Sequence, residues 1–141
     1  MSAKGLYTPE ILAAATGLSA WPWDEGLPLR GNARSRSCGS SIALALGTDD
    51  AGAIRAIGIR PHACAVGQAA AQVFARSATG KAADDLKQAR QQIAAWLAGD
   101  PAAPDWPGIS LLDNARAYPA RHAAILLAWD AAIDALENRQ E

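Results

Sequence analysis

The spacing of apolar residues changes once along this chain of 141 residues, at Pro61, and this change restricts the fold more than any other feature. Before Pro61, large and small residues alternate over residues 42–46, which is the period of a half-buried strand. After Pro61, apolar residues recur at helical spacing to the end of the chain. The sequence therefore predicts an α+β fold in which a small three-stranded antiparallel sheet has helices packed on one face.

Local signals place the individual elements. We predict strands over residues 42–46 and 54–60, and a more polar edge strand over 33–37. The apolar parity shifts between Ile54 and Ile57, which indicates a β-bulge. Thr8 and Pro9 are typical of a helix start, and further helices are predicted over 63–79, 86–97 and 120–137. A chain of this length supplies one core, so we predict a single domain over residues 1–141.

Charge and hydropathy exclude two classes of partner. The net charge is −1 and the isoelectric point is near 6.1, which leaves no excess of basic residues for nucleic-acid binding. The longest stretch without Asp, Glu, Lys or Arg is residues 61–75, whereas a membrane-spanning helix needs about 20 apolar residues. Lys4 and Pro9 interrupt any apolar region of a signal peptide. We therefore expect a cytoplasmic protein with no membrane anchor.

Cys38 and Cys64 are the residues most capable of chemistry. In a reducing compartment the two thiols stay available for metal or sulfur chemistry instead of forming a structural disulfide. Cys64 lies where the predicted second strand gives way to a helix, and the unpaired amide groups of a helix start make a thiol a better nucleophile or ligand. The alternative is that both cysteines are ordinary small apolar residues.

Charged and imidazole side chains lie at regular intervals from these cysteines. Arg34 and Arg36 precede Cys38 in steps of two, so in an extended segment all three side chains share a face and the cations favour a thiolate. His62 lies two residues before Cys64 and could form a ligand pair with it. His122 would point away from residue 124 if its segment is helical, because two residues rotate a helix by about 200°. Either histidine could instead be a surface or hydrogen-bonded residue.

Five groups of short motifs occur in a fixed order along the chain: Leu6-Tyr7 with Ile11, Cys38-Gly39, Cys64-Ala65 with Gln68-Ala69, Thr79-Gly80-Lys81, and Pro119-Ala120-Arg121 with Leu127-Ala128-Trp129. In this order and spacing the chain resembles the iron–sulfur cluster assembly scaffolds of the SufU, IscU and NifU N-terminal type. The resemblance runs from about residue 6 to residue 136. The proline-containing loop before the last motif makes SufU the nearer subtype.

The resemblance implies a site of three cysteines and one aspartate, and the sequence departs from it at two positions. Ser40 stands where the family has the aspartate, and Ala124 stands at the third cysteine. A methyl group cannot bind a metal ion, and a serine hydroxyl replaces a carboxylate poorly. The remaining candidate ligands for iron or zinc are Cys38, Cys64 and His62.

The resemblance also implies a role. We expect a protein of iron–sulfur cluster assembly that binds a cluster or zinc, or accepts sulfur from a cysteine desulfurase at Cys64 or Cys38. Such a protein is a scaffold or sulfur acceptor more than a free-standing enzyme. The two lost ligands leave open a non-catalytic relative that binds or regulates the desulfurase machinery. They also leave open a homodimer in which two chains supply the four ligands of one 2Fe–2S cluster.

Overall fold

Three antiparallel strands in the order β1-β2-β3 form the sheet of this computed structural model, which describes residues 5–36 and 39–138. The strands are β1 (Leu29–Arg34), β2 (Ser41–Thr48) and β3 (Ile54–His62). The first strand begins and ends earlier than the predicted edge strand over 33–37. The N–H of Ser35 donates to the carbonyl of Ser40 at 2.7 Å, which closes the hairpin loop directly after β1.

Strand β3 contains the bulge that the shift of apolar parity indicates. Gly47 pairs with Ala56, and Thr48 pairs with Ile54, so Arg55 has no residue opposite it. One extra residue reverses the alternation of inward and outward side chains. Ile54 and Ile59, five positions apart, are therefore both buried.

Within the described residues, four α-helices complete the fold, and they confirm its predicted α+β class. They are α1 (Pro9–Gly17), α2 (Ala65–Ser77), α3 (Ala83–Leu97) and α4 (His122–Glu137). Helix α1 starts as expected, because the hydroxyl of Thr8 accepts a hydrogen bond from the N–H of Ile11 at 3.1 Å. Three short 3-10 segments lie at Leu18–Ala20, Ile109–Ala117 and Pro119–Arg121. The last of these replaces the first turn of the predicted helix over 120–137.

Helix α4 packs closely against the sheet because β1 has a glycine at the contact. A Cβ atom added to Gly31 would lie 2.0 Å from the carbonyl oxygen of Ala131 and 2.4 Å from the nitrogen of Ala135. Both atoms belong to the backbone of α4, so neither can rotate aside. On the same face of the sheet, Leu44 and Leu46 are fully buried beneath the helices.

An aromatic cluster fills the core between the helices. The rings of Phe74, Trp106 and Trp129 lie 5.3–5.7 Å apart between centroids, one pair stacked and two edge-on. Trp106 comes from the proline-rich loop after α3, and its indole N–H donates to the carbonyl of Val73 at 2.9 Å. The loop is thereby fixed to helix α2.

The opposite face of the sheet is covered in part by the chain that precedes β1. The N–H of Ile59 donates to the carbonyl of Trp21 at 3.0 Å. A Cβ atom on Gly58 would lie 2.9 Å from the carbonyl oxygen of Pro22, so this segment passes directly over β3. Beyond this cover, the face carries exposed arginine side chains of β1 and β3.

Candidate functional site

Cys64 is the residue that begins helix α2. It follows the end of β3 by two residues and has an extended backbone (φ −66°, ψ 169°), while its carbonyl accepts the first helical hydrogen bond, from the N–H of Gln68. The first amide groups of a helix have no partner within it. The thiol makes no capping hydrogen bond and is partly exposed and free. The sequence-based placement of Cys64 at a strand-to-helix junction is confirmed.

An open cleft of about 390 Å³ surrounds this thiol. Three parts of the chain line it: the hairpin loop after β1, the junction between β3 and α2, and the segment before α4. The lining residues are Gly39, Ser40, Pro61, His62, Ala63, Cys64, Gln68 and Arg121. The side-chain amide of Gln68 donates to the carbonyl of Ala63 at 2.8 Å, which braces the junction. The cleft thus holds one thiol, one imidazole and one guanidinium group.

The structure describes only one of the two cysteines that were predicted to bind a metal ion. Cys64 and His62 line the same cleft, as their spacing predicts. Cys38 lies outside the described residues, so the expected approach of its thiol to Cys64 stays a prediction. Gly39, the next residue in the chain, lines the cleft with a φ of +71°, a conformation that favours glycine.

The positions of the two missing ligands lie around this cleft. Ser40 is almost completely buried and forms part of the cleft wall. Ala124 is fully buried on the first turns of α4, and its methyl group would lie 3.5 Å from a Cβ placed on Gly67 of α2. Small residues therefore fill the contact between the two helices one turn beyond Cys64. Neither position offers a metal ligand of the kind that the family pattern has.

Contrary to the sequence-based prediction, Arg34 and Arg36 do not lie on one extended segment. Arg34 is the last residue of β1, whereas Arg36 is already in the turn of the hairpin loop. The premise that both residues lie on one extended segment is therefore wrong, because the strand ends before Arg36. Both side chains are exposed, and neither is among the lining residues of the cleft.

His122 is turned away from the cleft, as expected if its segment is helical. It is the first residue of α4, and its Nε2 atom lies 3.1 Å from the carbonyl oxygen of Arg116. It is not among the residues that line the cleft around Cys64.

Arg121 belongs to the cleft, although sequence analysis did not select it as a site residue. It is partly buried and donates to the hydroxyl of Tyr7 at 3.4 Å. It therefore gives the cleft a guanidinium group alongside the thiol of Cys64. Its place in the Pro119-Ala120-Arg121 motif, three residues before the lost cysteine position, is the signal that could have identified it.

The donor set of the described residues does not form a complete metal site. Across residues 5–36 and 39–138, no group of three or more His, Cys, Asp or Glu side chains is placed to hold a metal ion. Within the same ranges, no helix combines the length and apolar character needed to cross a bilayer. The fold and the cleft define a small α+β protein with an accessible thiol at a helix start, beside a cation.

Comparison with solved structures identifies the class. A NifU-like N-terminal protein from Brucella abortus superimposes with a TM-score of 0.85 at 29% sequence identity, over 96% of this chain and 95% of that one. A protein of Fervidobacterium islandicum, described as an iron–sulfur cluster assembly scaffold for the SUF system, has a TM-score of 0.79 at 22% identity, over 93% and 96% of the two chains. No family model and no curated protein sequence matches the chain.

These neighbours confirm the resemblance drawn from the motifs. The fold of this chain is that of the SufU, IscU and NifU N-terminal type of scaffold. Ser40 and Ala124 stand at two positions of the ligand pattern that this resemblance implies.

Proposed function

We propose that this protein works in iron–sulfur cluster assembly as an acceptor of sulfur at Cys64. The observation that carries the proposal is the free thiol at the start of α2, in an open cleft that also holds Arg121. The fold neighbours, which include an iron–sulfur scaffold, support the general role. The protein acts in a reducing cytoplasm as one domain, with a cysteine desulfurase as its partner.

The transfer itself needs no oxidant or reductant. The desulfurase carries a persulfide on its cysteine, and the thiolate of Cys64 attacks the outer sulfur of that persulfide. A new S–S bond forms at Cys64 while the S–S bond of the donor breaks, and the donor cysteine leaves as a thiolate. Arg121 lies in the cleft where the negatively charged persulfide is held.

Sulfur acceptance fits the donor set better than a four-ligand metal site does. A thiol acceptor requires one sulfur and access to it, and Cys64 has both. A cluster or zinc ion requires four ligands. At two of the four ligand positions that the resemblance implies, this chain has Ser40 and Ala124, which are not suitable ligands. Iron or zinc bound by Cys38, Cys64 and His62 is accordingly the competing interpretation of the same site, and it requires a further ligand or a second chain.

The direct test follows the mass of the protein. The chain is incubated with purified cysteine desulfurase and cysteine without external thiol, and intact mass spectrometry measures added sulfur. We expect one labile sulfur on Cys64, unchanged in Cys38→Ser and absent in Cys64→Ser. Sulfur found only on Cys38, or equal labelling of the Cys64→Ser variant, would remove Cys64 from the proposed role.

A second experiment separates sulfur acceptance from metal binding. Protein purified without oxygen is analysed for iron and zinc alongside the variant Ser40→Asp with Ala124→Cys, which restores the family's ligand types. We expect little metal in the wild type and stoichiometric zinc or iron in the double variant. Stoichiometric metal in the wild type that is lost in Cys64→Ser would favour the metal site as the principal function.

The two lost ligands also favour a second candidate, a relative that binds or regulates the desulfurase without accepting sulfur. That protein would bind the desulfurase with both thiols unlabelled, and its effect on desulfurase turnover would persist in Cys64→Ser. The sulfur acceptor, in contrast, stimulates turnover only when Cys64 is present.

A further inference from the structure

Three long segments of the sequence contain no acidic residue, and together they supply the lining of the cleft around Cys64. They are residues 26–48, 51–83 and 114–129, and every lining residue of the cleft comes from one of them. The same segments hold nine of the 13 lysines and arginines, although the chain as a whole has a net charge of −1. Acidic and basic residues are therefore segregated along the chain, and the cleft lies among the basic ones.

The register of the sheet gathers basic side chains on one exposed face beside the cleft. Ser41 pairs with Arg34 on one side and with His62 on the other, and residues paired across strands point to the same face. Arg60 precedes His62 by two residues and lies on this face as well. The other face carries Ile42, which is buried beneath the helices. We call these three residues, Arg34, Arg60 and His62, together with the exposed Arg36 in the turn after β1, the basic rim.

Two arginines of the basic rim are not neutralised within the described residues, whereas a third, Arg60, pairs with Glu25 at 3.5 Å. Arg34 and Arg36 are exposed and form no ion pair with any residue in the described ranges. On the helical side of the protein, in contrast, Arg90 pairs with Asp130 at 2.8 Å. Unpaired positive charges on an exposed surface attract a partner of opposite charge and raise the rate of encounter.

We propose that the basic rim binds an acidic segment of the protein that delivers sulfur to Cys64. The identity of that partner rests on the proposed function, whereas its acidic character follows from the rim. A nucleic acid is the other polyanion to consider, and the net negative charge of the whole chain disfavours it. A protein segment also suits the position of the rim, because the donor must bring its own cysteine into the cleft.

The test compares two arginines of the same sheet. Arg34→Glu reverses a charge of the rim, and Arg55→Glu makes the same change on the exposed bulge at the far end of β3. Association with purified cysteine desulfurase, without its cysteine substrate, is followed by surface-immobilised kinetics at low and high salt. We expect Arg34→Glu to lower the association rate constant about tenfold and to weaken its salt dependence, with Arg55→Glu close to wild type.

A small-molecule sulfur donor distinguishes an effect on desulfurase binding from an effect on the reactivity of the Cys64 thiol. Sodium polysulfide labels the Cys64 thiol without a protein partner, so Arg34→Glu should keep its labelling by polysulfide and lose only its labelling by the desulfurase. Equal binding by both arginine variants, absence of desulfurase binding by wild type, or tighter binding to a DNA duplex than to the desulfurase overturns the rim proposal. Normal binding with no sulfur on Cys64 instead overturns the proposed function and leaves the rim in place.

Discussion

Helix α2 joins two regions of opposite character. At its C-terminal half, Phe74 is fully buried between two tryptophan rings, and the carbonyl of Val73 accepts the indole N–H of Trp106. At its start, the thiol of Cys64 is partly exposed and makes no capping hydrogen bond. The same helix is thus fixed by packing at one end and left open at the other.

This difference between the two ends of α2 indicates that folding stability depends on the aromatic cluster and that chemistry depends on the cleft. Burial of large aromatic side chains supplies most of the folding free energy that a small protein can gain from its core. The cleft contributes little burial and gathers polar groups from three separate segments. Changes in the aromatic cluster should therefore alter stability without altering thiol reactivity, and changes at the start of α2 should do the reverse.

The largest expected effect is that of Phe74→Ala. Removing this ring leaves a cavity between Trp106 and Trp129, and comparable truncations cost about 3–5 kcal/mol of unfolding free energy. Urea denaturation measures the loss, and the rate at which a thiol reagent reacts with Cys64 under native conditions should stay near wild type. Leu12→Ala is the control, because Leu12 is 47% exposed and its truncation should cost less than about 0.5 kcal/mol. A changed thiol rate in folded Phe74→Ala would show that the two ends of α2 are coupled.

The next effect in size tests the contact between helix α4 and the sheet. Gly31→Ala places a methyl group against the backbone of α4, which must move, and overpacking of this kind costs about 1–3 kcal/mol. Denaturation midpoints measure the cost. Gly47→Ala is a matched control, since its nearest neighbour at 3.3 Å is the flexible side chain of Leu27. Equal stability of the two variants would contradict the close packing of α4 on β1.

Cys64→Ser should separate stability from function most clearly. Serine is a preferred residue at the start of a helix and cysteine makes no such bond here, so the variant should gain about 0.5–1 kcal/mol of stability while losing sulfur acceptance. Cys64→Ala removes the thiol without adding a capping group and should show no gain. Thr8→Ala calibrates the scale, since Thr8 caps α1 and its loss should cost about 1 kcal/mol. A serine variant less stable than the alanine variant would contradict this capping argument.

The smallest effect concerns Glu25, beside the basic rim. The hydrogen bond from the Trp23 indole, then the positive charges of Arg30 and Arg60, lower the pKa of Glu25 below its usual 4.5. Because the folded-state pKa is lowered, the stabilising contribution of this carboxylate is present above pH 4.5 and disappears as the pH falls through the lowered pKa. Nuclear magnetic resonance titration of the Trp23 indole proton should follow this carboxylate in wild type and show no such step in Glu25→Gln. A chemical shift of the Trp23 indole proton that does not change with pH in the wild type would contradict the hydrogen bond between Trp23 and Glu25.

Local patterns in the sequence predicted the elements well, because local physical chemistry sets them. The cap at Thr8, the bulge at Arg55 and the change of period at Pro61 each depend on a few neighbouring residues. The end of β1 was misplaced, since a hydrogen bond between Ser35 and Ser40 closes the hairpin loop and residue spacing does not reveal it. Of the residues that line the cleft, His62 was expected beside Cys64 from their spacing, whereas Arg121 is 57 positions from Cys64 in the chain and no local pattern connects the two.

By itself, the sequence determined the α+β class, the order of one helix, then the strands, then further helices, the departure from the family pattern at two ligand positions, and the segregation of acidic from basic residues. Only the tertiary structure decided that Arg121 shares a cleft with Cys64, that His122 turns away from it, and that Trp106 is bound to Val73. The physical reason is the range of the forces involved. Periodicity and capping act over a few residues, whereas contacts between distant segments exist only once the helices have packed on the sheet.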